Sequence, residues 1–519
     1  MKRALLTLAI LAASAAAGAE PPLVLPYERE GEFTAADPID ACVAAAWKER
    51  GITPARLCSD EVFLRRVFID VIGTLPTPRE TVAFLDSKSP VKRAVLIDEL
   101  LAREEFADLW SLKWCDLFRV KAEFPINLWP NAVQAYHQWI RAAVRDDLPC
   151  DRFIRELLTS SGSNFRVPPV NFYRATQGRE PAALAEAVAL TFLGVRFDRL
   201  PENRRAGLAA FFSRLVYKKT AEWKEEIVCL DPAPHDPVEA VFPDGVAVRI
   251  PPDTDPRQVF ADWLITPKNP WFARNLVNRA WSWLLGRGII HEADDIRADN
   301  PPSNPALLAC LESEFVASGW SLRRLFRRIL ESETYQRSSI PRSDHPEAVA
   351  LFAHYPVRRL DAEVLIDALC WIGGDGESYS SAIPEPYTHI PGTERTIALA
   401  DGSITSSFLE TFGRPVRDTG LECERNNEPS DAQRLYLLNS SDVRRKLQRS
   451  PRLRRLVEAN RGNPRALVRQ AWLLILSRPP TREEMVAVDA FAQGGRVPRE
   501  ALEDLAWALI NTKEFLYRH

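Results

Sequence analysis

Hydrophobic and polar residues follow a helical spacing along most of the chain, with apolar positions at i, i+3 and i+4. Thr77, Pro78 and Glu80 form the sequence pattern of a capping box with proline at the first helical position, which predicts a helix start. In the first half, this pattern predicts helices over residues 60–72, 91–101, 106–118, 132–144, 153–158, 182–192 and 202–216.

The pattern changes near residue 217. Residues 226–230 and 246–250 are short β-prone runs separated by prolines and the Asp244-Gly245 turn, which predicts a small hairpin or a two-stranded linker. Helical spacing then returns and predicts helices over residues 256–265, 272–285, 305–317, 322–330, 362–371, 431–438, 441–447, 466–476, 482–491 and 499–510.

The stretch 373–430 has little helical spacing and is rich in Gly, Pro, Ser and Thr. It is longer than an ordinary connection and carries aromatic and apolar residues, so we interpret it as an ordered loop. The whole pattern predicts a mainly α fold of two helical domains, 37–216 and 254–519. A β-containing linker at 217–253 joins them, and the long irregular loop lies in the second domain.

The N-terminus has the layout of a secretory signal peptide over residues 1–19. Lys2 and Arg3 precede an apolar run at 4–16, and Ala17-Gly18-Ala19 supplies the small residues of a cleavage site. We therefore expect export to the periplasm or the extracellular space. No later run of about 18 uncharged apolar residues occurs, so no transmembrane segment is predicted in the mature chain.

The composition of the chain limits the classes of partner and cofactor that we expect. The net charge of -3 disfavours a nucleic-acid partner, which usually needs a basic face. The eight cysteines include no C-x-x-C pair, and the seven histidines form no metal-binding motif, so no metal site and no cofactor are predicted. Zero to two disulfides are expected, with Cys42 and Cys58 as the favoured local pair.

Several long motifs carry a family resemblance. They read LRRVFIDVIGTLPTPRE (64–80), FLGVRF (192–197), DPRQVFADWLITPKNPWFARNLVNRAWSWLLGRGII (255–290) and GSITSSFLETFGRPVRDTG (402–420). The first half resembles the planctomycete cytochrome-associated domain of unknown function, and the second half resembles the planctomycete-specific domain that usually follows it. Many relatives carry a C-x-x-C-H haem motif directly after the FLGV turn. Residues 195–200 here contain neither cysteine nor histidine, so the resemblance does not extend to haem.

Residues 355–427 bring together the candidate site. Planar guanidinium groups and hydroxyl donors suit a carboxylated or sulfated sugar. The candidate binding residues are Arg358, Arg359, Ser403, Ser406, Arg414, Arg417 and Arg425, and the candidate catalytic carboxylates are Glu363, Asp367 and Asp418. In the alternative interpretation, the arginine and acidic side chains pair with one another and hold the long loop in place.

Three functions remain open. The leading hypothesis is an exported non-haem accessory or binding protein for anionic polysaccharide, because the resemblance implies a context of sulfatases and polysaccharide-degrading genes. The alternatives are a carboxylate-dependent hydrolase acting on complex polysaccharide and a structural envelope protein. Trp223 and Trp371 are the open candidates for stacking on sugar rings, whereas Trp263, Trp281 and Trp283 fit core packing.

Overall fold

A computed structural model describes residues 22–31, 33–233, 236–492 and 498–519. The predicted signal peptide therefore lies outside the described residues. Helices dominate, and the prediction of a mainly α fold is confirmed. No helix among the described residues has both the length and the apolar character needed to cross a membrane.

The first half carries the helices α1 (Pro38–Arg50), α2 (Asp60–Ile72), α3 (Pro78–Asp86), α4 (Lys92–Leu101), α5 (Glu104–Leu117), α6 (Pro130–Arg145), α7 (Cys150–Thr159), α8 (Pro181–Val188, continued by a π turn at Ala189–Leu193) and α9 (Glu202–Ala210). The second half carries α10 (Pro256–Leu264), α11 (Phe272–Leu285), α12 (Pro305–Ala317), α13 (Leu322–Glu331), α14 (Ala362–Gly373), α15 (Ser407–Thr411), α16 (Asp431–Asn439), α17 (Ser441–Arg449), α18 (Pro451–Ala459), α19 (Pro464–Ile475), α20 (Arg482–Ala492), α21 (Pro498–Ile510) and α22 (Lys513–Leu516).

The strands are short: β1 (Glu28–Arg29), β2 (Leu57–Cys58), β3 (Gly162–Ser163), β4 (Leu215–Lys219), β5 (Glu226–Leu230), β6 (Val238–Val241), β7 (Ala247–Ile250), β8 (Arg358–Arg359) and β9 (Tyr517–Arg518). All pairings are antiparallel. β5 lies between β3 and β4, whereas β6 and β7 form a separate hairpin. The prediction of β structure in this linker is correct, but its two predicted strands belong to different sheets.

Local capping explains where several helices begin and end. The Thr77 hydroxyl accepts the Glu80 N–H at 3.2 Å, and the Glu80 carboxylate accepts the Thr77 N–H at 2.8 Å. This reciprocal pair is the capping box that the sequence predicts for α3. α2 ends at Gly73, whose φ of 60° is a left-handed conformation that favours glycine.

Several elements differ from the sequence prediction. The helix predicted over 202–216 ends at Ala210, because Leu215 and Val216 pair with β5 as strand residues. Four helices that the pattern does not predict, α1, α15, α18 and α22, also form among the described residues, and α1 and α18 have proline in their first turn.

One continuous hydrophobic core includes residues from both predicted domains. α2 lies against the end of the chain. Arg65 donates to the Ile475 carbonyl at 2.8 Å, and Arg66 donates to the His519 carbonyl at 2.9 Å. The predicted boundaries near 216 and 254 stay predictions, but the two segments share their core.

All eight cysteines are free, so the favoured Cys42–Cys58 disulfide is not formed. Cys58 is buried beside Arg93, with 4.0 Å between its sulfur and a guanidinium nitrogen. The Cys42 side chain instead contacts Cys310 of α12. Proximity in sequence therefore did not identify the spatial neighbour.

The capping box provides a test of local stability. Replacing Thr77 with Ala removes the acceptor for the Glu80 N–H, and we expect the free energy of unfolding to fall by about 1 kcal/mol. Denaturant unfolding measures this change. Thr393→Ala, at an exposed position in the long loop, is the matched control and should change stability little. Equal effects in the two variants would contradict the capping role.

Candidate functional site

A buried network of ion pairs joins the long loop to α5 and α14. Asp116 at the end of α5 accepts from Arg417 Nε at 2.8 Å and from Arg425 Nη2 at 2.7 Å. Arg425 Nη1 lies 2.7 Å from a carboxylate oxygen of Glu363. Glu363 and Arg417 are both 0% exposed. We call Asp116, Glu363, Arg414, Arg417 and Arg425 the buried network.

Charge complementarity keeps this network ionised. Burial alone would raise the pKa of Asp116, but the guanidinium groups of Arg425 and Arg417 outweigh burial and hold the pKa below its usual value. Glu363 behaves in the same way, with Arg425 as its main partner. Burial, with Arg417 next, lowers the pKa of Arg414 to about 10. The carboxylates therefore carry negative charge at neutral pH inside the core.

The other predicted binding residues also serve the protein itself. Arg358 donates to the Trp283 and Leu284 carbonyls, and Arg359 donates to the Phe412 and Asn426 carbonyls. Ser406 caps α15 by accepting the Leu409 N–H at 3.3 Å. Burial leaves these groups and the network arginines little surface at which to meet a polymer. The arrangement matches the alternative in which arginine and acidic groups pair and hold the loop.

The predicted catalytic carboxylates do not face one cleft. Glu363 lies inside the buried network. Asp367 accepts the backbone N–H groups of Thr396 and Ile397 at 2.7 and 3.2 Å, and burial raises its pKa. Asp418 pairs with Lys121 at 2.5 Å and lines a different cleft from Asp367. The geometry therefore gives no acid and base placed across a common substrate position.

The connection between α5 and α6, residues 118–129, is held in strained conformations. Arg119, Asn127 and Trp129 have φ values of 55°, 61° and 73°, which side chains disfavour. Such residues each cost about 1–3 kcal/mol and persist only where the surroundings fix them. We call this segment the strained connection.

The long loop supplies those fixing contacts. Asp401 accepts the Ala122 N–H at 2.9 Å, and the Ser403 hydroxyl accepts the Glu123 N–H at 3.0 Å. In return, the Val120 carbonyl accepts the N–H of residue 402 at 3.0 Å. Ser403, a predicted ligand residue, is therefore a positioning residue for the strained connection.

A cleft of about 640 Å³ lies between α6 and the long loop. Its polar lining includes Gln134, His137, Arg141, Tyr387, Glu394 and Asp401. Burial, with Arg417 and Arg141, lowers the pKa of His137 to about 4, so its imidazole is neutral at pH 7. His137 Nε2 has no hydrogen-bond partner among the described residues. We call this cleft the loop cleft; His137 lies in its wall, with Nε2 buried and without a partner in the described part of the chain.

Three aromatic side chains cluster beside the loop cleft, and one of them, Tyr387, lines it. Trp129 lies 4.7 Å from Trp223 and 5.6 Å from Tyr387, measured between ring centroids, and the last two are 5.5 Å apart. Trp223 is 58% exposed and Tyr387 is 49% exposed. Lys224 Nζ lies 4.9 Å from the Trp129 centroid. We call Trp129, Trp223 and Tyr387 the aromatic rim.

Sequence reasoning found part of this site. It singled out Trp223 as an open aromatic residue, and it placed the long loop at the site. It missed Trp129, His137 and Glu394, because no motif marks them and each stands alone in the sequence. Among the described residues, no group of three or more His, Cys, Asp or Glu side chains is placed to hold a metal ion.

The buried network makes the free energy of unfolding depend on pH. Because the folded state lowers the pKa of Asp116 and Glu363, their contribution is present above the ordinary values of 3.8 and 4.5 and is lost as the pH falls below them. Glu363→Gln should lower the free energy of unfolding at pH 7 by about 3–5 kcal/mol, since it leaves Arg425 less well paired. It should also flatten the pH dependence below about pH 4.5.

Denaturant unfolding between pH 7 and pH 3 measures both effects. Asp146→Asn is the control, because Asp146 forms an exposed pair with Arg145 and should contribute little. A Glu363→Gln variant as stable as the parent at pH 7 would contradict the structural importance of the network.

A family model described as PSCyt2, a protein of unknown function (DUF1549), matches residues 38–198. A model described as PSD1, a protein of unknown function (DUF1553), matches residues 256–492. No curated protein and no solved structure matches the chain significantly. The order of the two matches confirms the resemblance seen in the sequence, and the chain belongs to the planctomycete-type proteins that carry these two domains in succession.

Proposed function

We propose that this protein binds polysaccharide, preferably anionic, at the loop cleft, with the aromatic rim as the surface on which sugar rings stack. The observation that carries the proposal is the aromatic rim itself. Exposed apolar side chains that form a contiguous patch, rather than standing singly, mark surfaces that meet a ligand or a partner, and here Trp223 and Tyr387 are exposed side by side. Here they lie beside a cleft of a size that suits one or more sugar rings.

The chemistry of the rim suits a sugar. The C–H faces of a pyranose ring pack against aromatic faces, and the indole N–H and phenol O–H at the ring edges can bond hydroxyl groups. In the cleft lining, the exposed amide side chains of Gln134 and Gln138 can bond further hydroxyl groups. Apolar and polar contacts are therefore available to the same ligand.

Trp129 of the rim is also fixed in place before any ligand arrives. Trp129 belongs to the strained connection, whose backbone the long loop holds through Asp401 and Ser403. Groups that are already ordered lose little conformational freedom on binding, which favours affinity. The backbone strain thus has a use at this position, as strained residues often do at functional sites.

Charge at the rim supports the anionic preference. The Lys224 ammonium lies 4.9 and 5.7 Å from the Trp129 and Trp223 ring centroids, so a carboxylated or sulfated sugar on the rim would lie near a cation. The cleft lining also contains three acidic residues, of which Asp401 accepts the Ala122 N–H at 2.9 Å. Asp108 is paired with Arg141 at 2.6 Å, and burial raises the pKa of Glu394.

Export by the predicted signal peptide would place this surface where polysaccharides occur. A binding or accessory role fits better than hydrolysis, since the predicted catalytic carboxylates are paired and scattered. It also fits better than a purely structural envelope role, which would need no cleft of this size.

The rim residues allow a direct test. Trp223→Ala and Tyr387→Ala should each weaken retention of the protein on carboxylated or sulfated polysaccharide about tenfold, which corresponds to about 1.4 kcal/mol. Affinity electrophoresis of purified protein through immobilised polysaccharide measures the change. Trp371→Ala is the matched control, because Trp371 lines a different cleft beneath Arg452. Retention that falls with Trp371→Ala and not with the rim variants would contradict the proposal.

Lys224 tests the preference for charge. Lys224→Gln should reduce binding to carboxylated and sulfated polymers while leaving binding to neutral ones unchanged. The parent should bind the anionic polymers less well as salt rises, because exposed charges are screened. Reducing ends should be measured in the same samples. Newly released ends would show an enzyme and contradict a purely binding role.

A further inference from the structure

A second cleft, of about 420 Å³, lies between α8 and residues 418–421 of the long loop. Its lining includes Arg119, Gln177, Glu186, Arg196, Asp198 and Asp418. We call it the arginine cleft. None of the predicted binding arginines lines it.

Arg119 is buried without an acidic partner. Its side chain is 3% exposed, Nε donates to the Ala175 carbonyl at 2.5 Å, and Nη1 lies 3.3 Å from the Leu117 carbonyl. Nη2 has no hydrogen-bond partner, and no carboxylate lies within ion-pair distance, among the described residues. An unpaired buried charge is costly, so a protein normally gives such a group a partner.

Two neighbouring arginines differ from Arg119 in having an acidic partner. Arg417 and Arg425, on the same long loop that covers Arg119, both pair with Asp116. The loop approaches Arg119 with a glycine instead. A Cβ at Gly420 would lie 2.7 Å from the Leu117 carbonyl oxygen and 3.1 Å from Arg119 Nη1. The loop thus passes close to this guanidinium group without forming an ion pair with it, and its Glu424 carboxylate acts on Arg119 only through space.

Arg196 adds a second cation to the same cleft. Its side chain is half-buried, its Nε has no hydrogen-bond partner, and it forms no ion pair among the described residues. The acidic residues that line the cleft form no ion pair with either of these two arginines. Asp418 is paired with Lys121 at 2.5 Å, whereas Glu186 and Asp198 are exposed, so water screens them.

We propose that Arg119 and Arg196 form a binding site for an oxyanion, either a carboxylate or a sulfate group, carried by a molecule about the size of a monosaccharide. Guanidinium groups present paired N–H donors that match both kinds of anion. The cleft is larger than a bare ion, which leaves room for the group that carries the charge. This site is distinct from the aromatic rim and does not require the rim to bind a polymer.

Calorimetric titration of the full chain tests the proposal with three probes at constant ionic strength: inorganic sulfate, glucuronate and glucose. We expect saturable binding of sulfate, glucuronate or both, and none of glucose. Arg196→Gln should weaken the binding at least about tenfold, or 1.4 kcal/mol. Arg196→Lys should have a smaller effect, since it keeps the charge and loses the paired donors. Arg461→Gln, at an exposed arginine elsewhere, is the matched control.

Arg119 needs a second readout, because its replacement can disturb folding. Arg119→Gln removes the buried positive charge. It should lose the ligand-induced rise in melting temperature that sulfate or glucuronate gives the parent over sodium chloride at equal ionic strength. If Arg119→Gln does not fold, the proposal is tested by Arg196→Gln instead, which should also lose the ligand-induced rise in melting temperature.

Trp223→Ala should leave binding of the small anions unchanged, so failure at the rim and failure at this site can be told apart. Binding of sulfate alone would identify a tetrahedral group, and binding of glucuronate alone would identify a carboxylate. The proposal would be overturned if neither anion binds saturably, or if the anions bind the parent and Arg196→Gln equally well.

Discussion

The structure depends on the ion pairs that Asp116 forms with Arg417 and Arg425 inside the core. Removing such groups from water costs several kcal/mol for each ion, and only close, well-aligned partners offset that cost. The pairs here have that geometry, with contacts of 2.7 and 2.8 Å and a further contact from Arg425 to Glu363. We infer that their main consequence is conformational. Any other path of the long loop would leave at least one buried charge without its partner.

The rest of the candidate site follows from that fixed path. With Arg417 anchored, its guanidinium also donates to the Val120 carbonyl at 3.2 Å, and residues 401–403 bond the backbone of 120–123. These bonds hold residues 120–123 of the strained connection, and the Ala122 carbonyl in turn accepts the Trp129 N–H at 3.2 Å. Arg119 at one end enters the arginine cleft, and Trp129 at the other end enters the aromatic rim. The loop therefore determines two surfaces through one segment of backbone.

The sequence predicted the helices well where capping and periodicity agreed. The bounds of α11 and α12 match their predictions residue for residue, and α12 begins at an Asn304 cap with proline at its first position. The helix predicted over 202–216 was wrong at its end, because the apolar spacing of Leu215 and Val216 fits a strand as well as a helix. Only the partner strand, β5, decides between them.

The site was harder to predict, because sequence shows charge but not burial. The arginines of the loop were expected at a surface, whereas the acid that pairs with Arg417 lies 301 residues away along the chain. No local pattern reveals such a partner. Trp223 could be identified, since it lies in a turn without apolar spacing. Trp129 could not, because it immediately precedes α6 and resembles any residue at a helix start.

Both proposed sites need both family segments. Asp116 belongs to the segment matched by PSCyt2, and its arginine partners belong to the segment matched by PSD1. Trp129 comes from the first segment, Tyr387 from the second, and Trp223 from the linker between them. The PSD1 segment alone would keep the Glu363–Arg425 pair but would leave Arg417 without its acid. The unit that could bind a ligand is therefore the pair of domains, which gives a physical reason for finding them in one chain.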